Sequence, residues 1–236
     1  MNQTANKNQM KTSKIIFIAL LSAIALIILA AIIEVRLTGT KDGEFNGEFK
    51  TRIQLSKFKV LNIIGNNNLD VFQSDSAYFE ITSMKDSIVP ELRYTITGDT
   101  LIIAAQMVKI ETGSLVSIHV NDQLNQIILK KSNINLSNFQ ISQLSLDLDQ
   151  STMNVSQQNN KNASFQHLNI MARNNSQFDA DIKIDTLQVE IHHSEVSSWS
   201  TINNLSGSIA DSSRLNLRQP QEITLKRDSS SNLNIN

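Results

Sequence analysis

The sequence predicts an all-β protein: a parallel β-solenoid of 18- to 19-residue coils, preceded by one N-terminal transmembrane helix. Three observations predict it. A short serine-led pattern recurs six times between Ser132 and the C-terminus. Around each serine, apolar and polar residues alternate as they do along a half-buried strand. Near the N-terminus stands one long apolar run without a charge.

The repeat reads Ser132-Asn-Ile134-Asn-Leu136, Ser151-Thr-Met153-Asn-Val155, Ser176-Gln-Phe178-Asp-Ala180, Ser194-Glu-Val196-Ser-Ser198, Ser213-Arg-Leu215-Asn-Leu217 and Ser231-Asn-Leu233-Asn-Ile235. The serines step by 19, 25, 18, 19 and 18 residues. Upstream of most serines lies a second alternation, as in Leu144-x-Leu146-x-Leu148, Leu168-x-Ile170-x-Ala172, Leu187-x-Val189-x-Ile191 and Ile223-x-Leu225. Each unit therefore holds two strands joined by a polar turn: Asp149-Gln150, Arg173-Asn174-Asn175, His192-His193 or Asp211-Ser212. One such unit cannot bury its apolar face alone, and stacking units at about 4.8 Å builds a continuous core. The long step of 25 implies an insertion at Gln157–Asn162, bulging as a loop. Only Ser198 misses the second apolar slot, and Trp199 beside it fills or flanks that slot.

The residue three places after each serine should face outward: Asn135, Asn154, Asp179, Ser197, Asn216 and Asn234. Stacked units would align these as a polar ladder whose amides hydrogen-bond one to the next. Two readings fit it: a surface for a repetitive ligand such as a glycan, or a solvated outer face.

The 236 residues are divided in order. Residues 1–14 carry Lys7, Lys11 and Lys14 and no acid, and read as a cytoplasmic head. Ile15 to Ile33 runs 19 residues without a charge; as a helix it spans about 28 Å, close to the ~30 Å hydrocarbon core. The lysine-rich flank places the N-terminus in the cytoplasm and the rest of the chain in the periplasm, a single-pass inner-membrane topology. A cleaved signal peptide would need a shorter run and a small-x-small site, whereas Ile32-Ile33-Glu34-Val35-Arg36 follows. Residues 34–54 read as a juxtamembrane linker that could hold a weak first strand, and 55–236 as the β-domain. Within that domain, Thr97-Gly98-Asp99-Thr100 reads as the turn of a hairpin or as a tight coil corner.

Three further features, Phe58-x-Val60 leading to Gly65 and Leu69-x-Val71, Gly98-Asp-Thr-Leu101-x-Ile103, and Val116-x-Ile118-x-Val120 leading to Leu124, precede the serial strands. In this order the chain resembles the head GIN domain family of autotransporter-type adhesins common in Bacteroidota. The resemblance covers most of residues 55–236 and implies a right-handed parallel β-helix at the cell envelope, with no established catalysis. The chain departs from that family in filling its turns with Ser, Asn, Asp and His where glycine is usual.

A net charge of −1 gives no nucleic-acid footprint, and the absence of cysteine excludes disulfides and thiolate metal sites. His119, His167, His192 and His193 show no metal-ligand spacing. Asp147 and Asp149 share one strand face, with Asp179 and Asp181 expected on the next unit; such a group suits calcium or a sugar-active enzyme. No glycine-rich calcium repeat, G-x-S-x-G elbow or phosphate loop accompanies them, and no cofactor is implied. The expected function is a membrane-anchored, non-catalytic binding, adhesion or scaffolding module. Its partners would be a glycan or an envelope protein, or a second copy meeting the last coil. The alternatives are a carbohydrate-active β-helix enzyme or an envelope signalling component.

Overall fold

The computed structural model describes residues 49–65, 68–83, 92–104, 115–157 and 164–236. The expected head at 1–14, the helix at 15–33 and the linker up to residue 48 lie outside the described residues, as does 158–162 of the expected insertion. Among the described residues no helix is long and apolar enough to cross a membrane. The chain divides at Gly47, and the β-domain belongs to the unit from Glu48 onward.

That unit is all-β, with two parallel-rich sheets. Its strands are β1 (Phe49–Gln54), β2 (Val60–Ile64), β3 (Asn68–Gln73), β4 (Tyr78–Ser83), β5 (Tyr94–Thr97), β6 (Thr100–Ile103), β7 (Leu115–Val120), β8 (Gln126–Lys130), β9 (Asn133–Ser137) and β10 (Gln140–Asp149). They continue as β11 (Thr152–Ser156), β12 (Ser164–Arg173), β13 (Gln177–Ala180), β14 (Lys183–His192), β15 (Glu195–Ser198), β16 (Ile202–Ala210), β17 (Arg214–Leu217), β18 (Glu222–Arg227) and β19 (Asn232–Ile235). One sheet runs β1-β4-β7-β3-β9-β11-β13-β15-β17-β19; the other runs β18-β16-β14-β12-β10-β8-β2-β6-β5. From β8 onward successive strands alternate between the sheets, and each pairs in parallel with the strand one unit away. The repeat pattern supplies the short strands of the first sheet, and the upstream alternation supplies the long strands of the second.

Apolar residues stack in register between the sheets. Leu144, Leu168, Leu187 and Leu205 form one buried column, and Ile134, Met153, Phe178, Val196 and Leu215 another. The long strands bend: the pairing skips Ser142, Gln166, Asp185 and Asn203, and buried residues there stand three apart instead of two. Phe178 shares its rung with Ala172 and Ala180, so one large side chain is offset by two small ones. Ser198, not Trp199, occupies the missing apolar slot; it is fully buried, in register with Ala180 and Leu217, while Trp199 is 47% exposed. The Ser198 hydroxyl has no hydrogen-bond partner among the described residues.

The repeated serines are buried at one corner of each rung from β8–β9 to β18–β19. The Ser132 N–H donates to Ser151 Oγ (3.2 Å), Ser151 N–H to Ser176 Oγ (3.2 Å), Ser176 N–H to Ser194 Oγ (3.0 Å), Ser194 N–H to Ser213 Oγ (3.3 Å) and Ser213 N–H to Ser231 Oγ (3.2 Å). The hydroxyls in turn donate to carbonyls two or three residues back: Ser151 to Asp149 at 2.8 Å, Ser176 to Arg173 at 2.7 Å and Ser194 to His192 at 2.9 Å. In these turns the residue before the serine is left-handed. Lys131, Gln150, Asn175, His193 and Ser212 all have φ between 48° and 64°. In two of the turns a second left-handed residue precedes it, Asn174 (φ 58°) and Asp211 (φ 60°), and Asn and Asp tolerate that region better than most residues.

The beginning of the domain is not laid down in chain order. The β2–β3 rung pairs with β8–β9 on one side and β6–β7 on the other, so the chain steps back over its first rung to start the regular series. Beyond β6–β7 the sheets close with antiparallel strands: β4 and β1 on one, and β5, joined to β6 by the hairpin at Gly98 (φ 58°), on the other. The end of the range read as a linker, residues 49–54, is the edge strand β1.

Replacing Ser176 by Ala should remove the acceptor of the buried Ser151 N–H and the donor to Arg173 O. Unfolding free energy should fall by about 1–3 kcal/mol, read by urea denaturation, while an exposed change such as Gln177→Ala should leave it nearly unchanged.

Candidate functional site: a polar face across the first sheet

Alternation places every second residue of the short strands on the outer face of the first sheet. The register then aligns them. Arg52, Glu80, Ser117, Asp70, Asn135, Asn154, Asp179, Ser197, Asn216 and Asn234 are consecutive partners across all ten strands. The six expected positions are therefore brought into one row. Its first four members are not foreseen from the repeat, because they belong to strands outside the serine pattern and paired out of chain order.

Side-chain bonds tie the row. Asn135 Nδ2 donates to Asp70 Oδ1 (2.8 Å), Asn154 Nδ2 to Asn135 Oδ1 (3.2 Å), Asn216 Nδ2 to Ser197 Oγ (3.2 Å) and to Glu195 Oε1 (2.8 Å), and Asn234 Nδ2 to Asn216 Oδ1 (2.7 Å). Asp179 stands exposed between the two bonded runs, and Ser197 is covered rather than open. Arg52 Nε donates to Glu80 Oε2 at 3.0 Å, with Lys50 Nζ 3.5 Å from Oε1.

Beside the row stands an aromatic stack. The Tyr78 and His119 rings lie 4.2 Å apart at 7°, Phe72 lies 5.3 Å from His119, and the Arg52 guanidinium sits 4.8 Å over Tyr78. Burial pulls His119 below the ordinary histidine value, Glu80 opposes this, and the charges of Arg52 and Lys50 add to the lowering. Burial pushes Glu80 up, but the Arg52 hydrogen bond and the Lys50 charge outweigh it and hold the carboxyl below its usual value. Where row and stack meet, a groove of about 350 Å³ opens, lined by Asp70, Phe72, Glu80, Leu115, Ser117 and Asn135 among others.

The other sequence candidates lie elsewhere. Asp147 and Asp149 lie on the second sheet and are held by Arg173 of the next rung, whose Nη2 is 2.9 Å from Asp147 Oδ1 and whose Nε is 3.6 Å from Asp149 Oδ2. The Asp147 Oδ1 contact is an ion pair without hydrogen-bond directionality. Asp179 is on the first sheet, so the expected carboxylate group across adjacent units is not assembled, and no group able to hold a metal occurs among the described residues. His192 Nδ1 lies 2.8 Å from Asp211 Oδ2, and that hydrogen bond raises its pKa. Asp228 accepts the Ser231 hydroxyl and the Asp211 N–H, among others, which hold it at about 2. At the β18 and β19 edges, Ile223 is 44% and Ile235 40% exposed.

No family model and no curated protein matches the sequence. The solved structures do supply a likeness. A Bacteroides fragilis NCTC 9343 protein described as a "putative adhesin" covers 80% of this chain and 97% of its own at 11% identity, with a TM-score of 0.52. The two proteins share a fold. A "putative adhesin" from Parabacteroides merdae ATCC 43184 matches at 14% identity over 83% of this chain and 97% of its own, with a TM-score of 0.39. A "putative lipid binding protein" from Parabacteroides distasonis ATCC 8503 matches at 12% over 83% and 98%, with a TM-score of 0.41.

The two shifted histidines act in opposite directions on stability. His119 is depressed in the folded state, so its contribution is present above about pH 6.5 and is lost as pH falls below it. His192 is raised, so its contribution is present below about pH 6.5 and is lost as pH rises through its folded value. Thermal melts should show His119→Phe with a shallower loss than the parent between about pH 6.5 and 5, and His192→Gln with a shallower loss above about pH 6.5.

Proposed function

We propose that this protein is a non-catalytic binding and adhesion module of the cell envelope, using the outer face of the first sheet. The ten-strand polar row carries this reading. It places a polar or charged residue on every strand, at a spacing of about 4.8 Å and open on all but β15, where Ser197 is covered, which suits an extended, repetitive ligand such as a glycan. The fold shared with a protein described as an adhesin supports it, and so does the resemblance to the head GIN domain family. In this reading the two alternating sheets are faces of one right-handed β-solenoid, the hand expected of parallel crossovers. The carbohydrate-active alternative loses support because Arg173 occupies the carboxylates it would use. Changing Asn154, Asp179 and Asn216 together to Ala should abolish partner recovery from envelope extracts without unfolding the domain, as circular dichroism would show. Unchanged recovery overturns the face as a binding surface.

Anchoring through Ile15–Ile33, with the head in the cytoplasm and the β-domain in the periplasm, belongs to the same proposal and rests on the lysine-flanked apolar run. A tag at the C-terminus should be cut by protease only once the outer membrane is opened. Cleavage in intact cells would instead place the domain at the cell surface. Self-association through β18 and β19 is a second route of contact, favoured by the exposed Ile223 and Ile235 at those edges.

A further inference from the structure

The groove beside the polar row differs from the rest of the face. In the regular series Asn154, Asn216 and Asn234 each donate to the neighbouring side chain of the row. At the groove the row changes to Asn135, Asp70, Ser117 and Glu80 on four adjacent strands. Asp70 Oδ1 accepts from Asn135, which fixes the carboxylate and leaves Oδ2 without a bond among the described residues. Among those residues the Ser117 hydroxyl reaches the Glu80 carbonyl, at a long 3.5 Å. Glu80 is oriented by Arg52 and Lys50, and one strand stands between it and Asp70, a separation of about 10 Å. Leu115, 72% exposed, and Thr82, its pairing partner, form an apolar flank. Phe72 forms part of the opposite wall.

We infer that this groove binds a neutral saccharide unit, with Asp70 and Glu80 accepting ligand hydroxyls and Leu115 packing on the C–H face of the ring. The inference rests on the reading of this sheet face as a binding face and names its ligand class. Carboxylates fixed by their neighbours accept hydroxyl protons without first being reordered, and charge-assisted bonds of this kind are the stronger ones. A cationic ligand fits less well, because Arg52 and Lys50 already balance Glu80 and offset the field of Asp70. Glu80 stays ionised, so it accepts protons in hydrogen bonds and is unsuited to act as the general acid of glycoside cleavage. A small concave site with a few convergent polar groups and an apolar flank is the usual form of a ligand site.

The test uses the full chain in a detergent without a sugar headgroup, titrated calorimetrically with cellohexaose, mannohexaose and chitohexaose. At least one should bind saturably without being cleaved. Asp70→Asn, which keeps the acceptor for Asn135 but loses the charge, should weaken binding about tenfold or more; Leu115→Ser should weaken it less. Glu190→Gln, on the other sheet, should leave it unchanged. Failure of all three sugars to bind, or equal binding by a folded Asp70→Asn variant, overturns the inference. Partner recovery with the triple Asn154, Asp179 and Asn216 variant is read separately, so the groove can fail while the face stands.

Discussion

The fold depends on one corner contact, in which a buried serine hydroxyl accepts the backbone N–H of the serine one rung earlier. The corner has to turn the chain sharply while sealed inside the protein, and a buried N–H without a partner costs on the order of 1–3 kcal/mol. The hydroxyl solves this locally, because it accepts from the neighbouring rung and donates to a carbonyl of its own turn. Serine is the smallest side chain able to do both. A larger residue would intrude on the column of serines above and below it, all of them buried. The contact also fixes register. A slip by one residue would put the polar row inside and the leucine columns outside.

This explains which parts of the fold were legible in the sequence. In the regular series the serine recurs once per rung, at one place, with a period that can be read directly. The residues around it alternate because one face is core. The left-handed turns were readable as polar clusters, and Gln150, Asn175 and His193 adopt that conformation without glycine. Ser198 was legible in part. The sequence left open whether Trp199 fills or flanks the empty apolar slot; it flanks it, because moving the indole inward would break the phase that keeps Val196 and Ser198 inside. The strand keeps its phase and leaves the Ser198 hydroxyl without a partner among the described residues.

The order of the first rungs was not legible. Apolar alternation in β2, β3, β6 and β7 marks them as strands, but a strand that is inward-facing on one side looks the same whichever neighbour it takes. Nothing local distinguishes β3 paired with β7 and β9 from β3 paired with the next strand in sequence. Contacts that hold this order are made by the connection out of β7, where the Asn125 and Gln126 N–H groups both bond the Lys59 carbonyl at 2.9 and 3.2 Å. Backbone bonds of that kind leave no signature in residue type.

The same rearrangement creates the chemistry of the groove. In the regular series each outer position is followed by its equivalent in the next unit, so the face changes slowly from rung to rung. Between β4, β7, β3 and β9 the neighbours come from unrelated parts of the sequence, and one of the pairings is antiparallel. Glu80, Ser117, Asp70 and Asn135 therefore meet without being copies of one another. A repeat supplies a uniform surface, whereas selectivity for one ligand unit needs different groups side by side. The face offers that combination where the serial order of the strands is broken.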